Sequence, residues 1–153
     1  MSVLVYAESS QGKFKKVALE VTCFGKKVAE ELQTNLVVLT LNATSPKELF
    51  NYGAEKVLSV TNESINSSDP KIVADILRQA KEKEDSSIVI IDSSTDGLSI
   101  APLLSVKLNA GYASNVVALP TNSNPFTVKR NAFSSKGFNF TEILSVNKVI
   151  GLA

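Results

Sequence analysis

The sequence predicts an α/β protein, a three-layer, doubly wound parallel sheet between helices that ends in an antiparallel ribbon. Three observations predict it. Four short apolar runs, Val3–Ala7, Leu36–Leu41, Val57–Val60 and Ile88–Ile91, alternate with helical patterns. The runs are mostly continuous, as in strands buried on both faces. After Gly111 the period changes to alternation, which suits an antiparallel pair.

Each element has its own signal. Val3–Ala7 opens the sheet. The loop Glu8-Ser9-Ser10-Gln11-Gly12-Lys13 leads to a first helix from Phe14 to about Leu32, with an apolar stripe of Phe14, Val17, Val21, Val28 and Leu32. A second helix begins with a capping box, Ser45 as N-cap, Pro46 in the first turn and Glu48 reaching back, and ends near Gly53 in a left-handed C-cap. A third starts at Asp69-Pro70, turns Ile72, Val73, Ile76, Leu77 and Ala80 inward, and carries an Arg78/Glu82 pair outside. The fourth runs from about Gly97 to Asn109, with Ile100, Leu103, Leu104 and Leu108 inward and Pro102 in an early turn. Val116–Leu119 reads as one more buried strand. Phe126, Val128 and Ala132 then alternate with Thr127, Lys129 and Asn131. The turn Ser134–Gly137 leads into Phe138-Asn139-Phe140-Thr141, and Val149-Ile150 belongs to a last short strand.

The 153 residues, 44% of them apolar, suit one domain over 1–153 with a core that needs no staples. A net charge of +1 argues against general binding to nucleic acid or membrane surfaces. One cysteine, Cys23, and no histidine exclude an internal disulfide, a cysteine-rich zinc site and histidine-based catalysis. No catalytic or metal residue is therefore expected. The first residues resemble a strand and not a signal peptide, no run reaches transmembrane length, and a cytoplasmic protein is expected. Sequons at Asn42, Asn62, Asn66 and Asn139 then carry no meaning.

Several segments are candidate sites. Glu8–Lys13 with Lys15 and Lys16 could hold a phosphate at a helix start, but it lacks both the P-loop and the dinucleotide glycine spacing. A solvated loop is the plainer reading. Ser93-Ser94-Thr95-Asp96-Gly97 follows the fourth strand, where open sheets collect ligands, yet the same residues are ordinary caps. Asp92 and Asp96 lack the positioned partner that acid/base work needs. Cys23 reads as a half-buried inert thiol. Arg130, inside an apolar strand face, needs a partner within the fold or across an interface.

Four segments in order resemble the amino-terminal domain of the electron transfer flavoprotein alpha subunit. They are Val3-Leu4-Val5-Tyr6-Ala7-Glu8, Tyr52-Gly53-Ala54-Glu55-Lys56-Val57, Gly97-Leu98-Ser99-Ile100-Ala101-Pro102 and Arg130-Asn131-Ala132-Phe133-Ser134-Ser135-Lys136. The chain departs from that family at Leu98 and Leu103, usually basic there, and at Ser135, commonly glycine. The resemblance implies a fold related to adenine-nucleotide α-hydrolases. It also implies a scaffold domain beside a C-terminal FAD-binding domain that these residues do not contain, paired with a beta subunit. Such heterodimers carry FAD and pass electrons from dehydrogenases, such as those acting on acyl-CoA, to a quinone reductase. No FAD is expected on this chain itself. The candidate interface residues are Arg130, Phe133, Ser134, Ser135 and Lys136 on the ribbon, with Ser94, Asp96 and Gly97 at the last helix start. Two rival readings are a free-standing nucleotide-binding domain of the universal-stress type, which should bind ATP or AMP, and a small hydrolase.

Overall fold

The computed structural model describes residues Met1–Ala153. In chain order the strands and helices are β1 Ser2–Tyr6, β2 Ser9–Ser10, β3 Lys13–Phe14, α1 Lys16–Glu31, β4 Asn35–Leu41, β5 Lys56–Val60, α2 Pro70–Lys83, β6 Ser86–Asp92, α3 Thr95–Leu108, β7 Gly111–Val116, β8 Asn122–Ser123, β9 Phe126–Ala132, β10 Gly137–Ile143 and β11 Lys148–Leu152. A 3-10 helix at Pro46–Tyr52 joins β4 to β5. The main sheet has the order β10-β9-β7-β11-β6-β1-β4-β5, with β8 beside β9. From β7 to β5 its pairs are parallel, and β9 and β10 add antiparallel strands to the β7 edge.

Continuous apolar runs produce three layers because alternate side chains serve opposite cores. Val3, Val5, Leu36, Val38, Ile88 and Ile90 pack with Ala18, Val21 and Val28 of α1. Leu4, Val37, Leu39, Val89 and Ile91 pack with α2 and α3 through Val73, Leu77, Ile100 and Leu104. Asp69 caps α2 by accepting from the Lys71 N–H at 2.9 Å, and Asn109 closes α3 in a left-handed conformation. The Arg78–Glu82 pair forms at 3.3 Å, and Arg78 also meets Asp75 at 2.9 Å. Gly53 takes φ +106°, as expected for a left-handed C-cap.

Several expectations need correction. The first helix starts at Lys16, not Phe14. Gln11 and Gly12, both at positive φ, turn the expected loop into a hairpin that pairs Ser9 with Phe14. The buried stripe of α1 accordingly runs through Ala18, Val21, Gly25, Val28 and Ala29, with Val17 and Leu32 at its margin. The capping box does not form: the Ser45 side chain makes no cap, and the turn is 3-10 rather than α. Ile72 lies on the exposed side of α2. The strand expected at Val116–Leu119 occupies Gly111–Val116, and Val117 is partly exposed. The antiparallel ribbon forms as expected, and the pairing of Val116 with Arg130 joins it to the β7 edge of the sheet. The last strand is central. β11 lies parallel between β6 and β7, with Val149 and Ile150 fully buried.

The Gly53 cap makes a direct test. A side chain there meets positive φ and the stem of Lys26, whose Cγ would be 2.5 Å from an added Cβ. Gly53→Val is expected to cost about 1–2 kcal/mol, because a β-branched residue resists this conformation. Thermal melts check it, and an unchanged midpoint would rule out the strain.

Candidate functional site

Parallel sheets collect ligands where the chain reverses its direction of travel across the sheet. Here that point is the carboxyl end of β1 and β6, since β4 lies on one side of β1 and β6 on the other. Glu8 follows β1, Asp92 ends β6, and Asp96 stands in the first turn of α3.

These groups are organised by local backbone needs. Asp92 is buried and its Oδ1 accepts from the Ser94 N–H at 2.8 Å. Ser94 Oγ caps α3 by accepting from the Gly97 N–H at 3.2 Å. Gly97 is pressed so closely on β6 that an added Cβ would stand 2.0 Å from the Asp92 carbonyl oxygen. Burial first, then a hydrogen bond to Asp96 and the Asp96 charge, pushes the Glu8 carboxyl up to about 7, while Lys15 opposes the shift. The nearby Tyr6 hydroxyl is raised by burial and then by the charges of Glu8, Asp92 and Asp96.

A phosphate does not fit this crevice. Its charged lining is acidic, and the cavity beside it, formed by Ser67, Ser68, Pro70, Asp96, Ser99 and Ile100, holds about 40 Å³. Sites for nucleotide-sized ligands need several hundred Å³. Lys13, Lys15 and Lys16, weighed above as phosphate ligands, are solvent-exposed around the small hairpin. No cluster of His, Cys, Asp or Glu could hold a metal ion, and no helix is long and apolar enough to cross a membrane.

The ribbon carries the other candidates. The Arg130 guanidinium finds its partners inside the sheet, donating to the Ser114 carbonyl at 2.7 Å and to Ser114 Oγ at 3.0 Å. Phe133, Ser134 and Ser135 form the tip with φ of 51°, 52° and 67°. Left-handed backbone at Ser135 gives a physical reason why glycine suits that position. Phe133 is 83% exposed and Lys136 lies beside it in solvent. Two strands, β11 and β7, separate β6 from β9, so the ribbon and the α3 start stand roughly 14 Å apart across the sheet. The structure therefore splits the candidates into two surfaces. Leu98 is exposed on α3, whereas Leu103 packs toward the core it shares with α2.

Two features escaped sequence reasoning. Glu8 carries no carboxylate role in the sequence pattern of its loop, although a carboxylate directly after a buried strand at the reversal point is a usable signal. An apolar groove of about 620 Å³ also runs between α1 and Val117–Leu119, with Leu19, Phe24, Tyr52, Leu152 and the half-buried Cys23 in its walls. It depends on pairing that no local pattern reveals.

Fold and site together define a Rossmann-like α/β domain whose usual ligand position is taken up by its own carboxyl groups. The family model described as the electron transfer flavoprotein domain matches residues 3–152, and the chain belongs to this family. It is 30% identical over 124 residues to the electron transfer flavoprotein subunit alpha of Clostridium acetobutylicum, covering 76% of this chain and 36% of that protein. The Bacillus subtilis subunit alpha is 24% identical over 149 residues, 97% of this chain and 45% of that protein. Protein FixB of Clostridium saccharobutylicum is 27% identical over 123 residues, 76% of this chain and 36% of that protein. The chain thus spans less than half the length of these curated relatives.

Proposed function

We propose that this domain is the non-catalytic scaffold of an electron transfer flavoprotein alpha subunit. It supports a separate FAD-binding domain and packs against a beta subunit. The heterodimer then carries electrons in the cytoplasm from dehydrogenases, such as those acting on acyl-CoA, through FAD to a quinone reductase. The family match over residues 3–152 carries this reading. The fold kinship to adenine-nucleotide α-hydrolases belongs to it as well. An acidic crevice with a cavity of only about 40 Å³ beside it supports a domain that leaves cofactor binding to its neighbours.

The ribbon tip is the proposed contact surface. Phe133 offers an exposed aromatic anchor and Lys136 a charged rim, the anatomy of many interfaces. Phe133→Ser with Lys136→Glu tests it. Because both residues lie in solvent, the isolated domain should melt within about 1 °C of the parent. Co-purification with a beta subunit and a flavin domain should fall about tenfold or more, and FAD retention with it. Unchanged assembly would move the contact to Ser94, Asp96 and Gly97 at the α3 start.

A further inference from the structure

We infer that the apolar groove beside α1 is the seat of the segment that follows Ala153 in the full-length subunit. The groove, of about 620 Å³, has Leu19, Cys23 and Phe24 of α1 on one side and Val117, Leu119 and Leu152 on the other. Val117 keeps 36% of its surface in solvent. A continuous apolar surface of this kind marks a place where something else packs.

The path of the chain identifies the occupant. β11 runs parallel to β7, and the pairing of Leu152 with Val116 continues one residue further, where the Ala153 N–H donates to the Val116 carbonyl at 2.9 Å. Just beyond Val116 the two strands part. Val117 turns its N–H to the Lys129 carbonyl of β9 at 3.0 Å and leads toward the ribbon. The end of β11 thus stands at the groove, with Leu152 already in its wall. The alpha subunits of Clostridium acetobutylicum and Bacillus subtilis are matched over only 36% and 45% of their lengths, so most of each lies outside the shared domain. A segment tethered at Ala153 meets the groove at an effective concentration of about millimolar, against which any free molecule must compete. Charges on the rim largely offset, since Lys16 pairs with Glu20 at 3.6 Å while Lys27 remains. The lining suits an extended segment that carries one or two large apolar side chains.

This inference rests on the scaffold reading, in which the chain continues into a flavin domain. Cys23 reports on it from the groove wall. The test is N-ethylmaleimide labelling followed by mass spectrometry of the peptide that carries Cys23. It compares the 153-residue chain, the same chain extended by about 12 of the subunit's own following residues, and the full-length subunit. Labelling should slow about tenfold or more in both longer proteins, since a covered thiol reacts only when its cover opens. Val117→Asp in the extended chain should restore labelling to within about threefold of the 153-residue chain, because apolar packing against a carboxylate is unfavourable. Val117 is partly exposed, so the variant should melt within about 2 °C of its parent and report folded protein. Equal labelling in all three proteins overturns the inference. So does protection that appears only in the full-length subunit, which gives the groove to the flavin domain, or only after a beta subunit is added. A folded Val117→Asp chain that stays protected overturns it as well. FAD retention by the full-length subunit is measured alongside. A subunit that holds FAD but leaves Cys23 open sinks the segment and spares the scaffold reading. Protection of Cys23 in both longer proteins without any flavin does the reverse.

Discussion

Gly97→Ala is expected to destabilise the domain by about 2–3 kcal/mol, although alanine is worth about 1 kcal/mol more than glycine inside a helix. The new Cβ would stand 2.0 Å from the Asp92 carbonyl oxygen and 2.9 Å from Oδ1, where real Cβ atoms are essentially never found. The obstacle is largely backbone, so α3 or the end of β6 must move. Either movement disturbs the Ser94 cap and the Asp92 hydrogen bond to the Ser94 N–H. For a domain of this size the melting temperature should fall by roughly 5–10 °C. Gly137→Ala is the control, since its nearest neighbour would be the Phe133 ring at 3.5 Å, an ordinary contact. Equal melting temperatures for the two variants would sink the close-approach argument.

Stability should decline as pH rises from about 5 to 8, and Glu8→Gln should remove most of that decline. The sign follows from the raised carboxyl. Between the ordinary glutamate value of 4.5 and about 7, the folded chain keeps a proton on Glu8 that the unfolded chain has released. Stability then falls with pH and levels off above about 7. The full displacement is worth about 3 kcal/mol. Glu8 is only partly buried and Lys15 opposes the shift, so solvent screening reduces the expected effect to about 1–2 kcal/mol. A glutamine amide donates to Asp96 at every pH and carries no charge to desolvate. The variant should therefore exceed the parent in stability at pH 8 by a similar amount. Urea titrations at pH 5, 6.5 and 8 decide it. Parallel curves for parent and variant would mean that folding does not raise the Glu8 carboxyl.

The sequence by itself determined what local chemistry controls. Continuous runs such as Val3–Ala7 and Ile88–Ile91 can be buried only between two helical layers, so layer structure was legible from them. Asp69-Pro70 and Gly53 marked helix ends through the conformations their own atoms prefer. Ribbon alternation at Phe126–Ala132 and Phe138–Thr141 was equally local. The Ser9–Phe14 hairpin was local too, but its polar alternation looks like loop, and its Gly12 is held by an approach to Thr44 from a distant segment.

Only the tertiary structure decided which strands are neighbours. Val149-Ile150 read as a last short strand, yet β11 fills the gap between β6 and β7, because its side chains are apolar on both faces and bury there completely. Arg130 likewise announced its need for a partner without naming Ser114, which the β7–β9 pairing supplies. Glu8 and Asp96 meet only because β1 and β6 lie side by side, and the raised Glu8 carboxyl follows from neither segment alone. Strand adjacency is set by long-range pairing and burial, whose energy depends on every layer being in place at once. A window of sequence carries the preference of its own residues but not the identity of what they will touch.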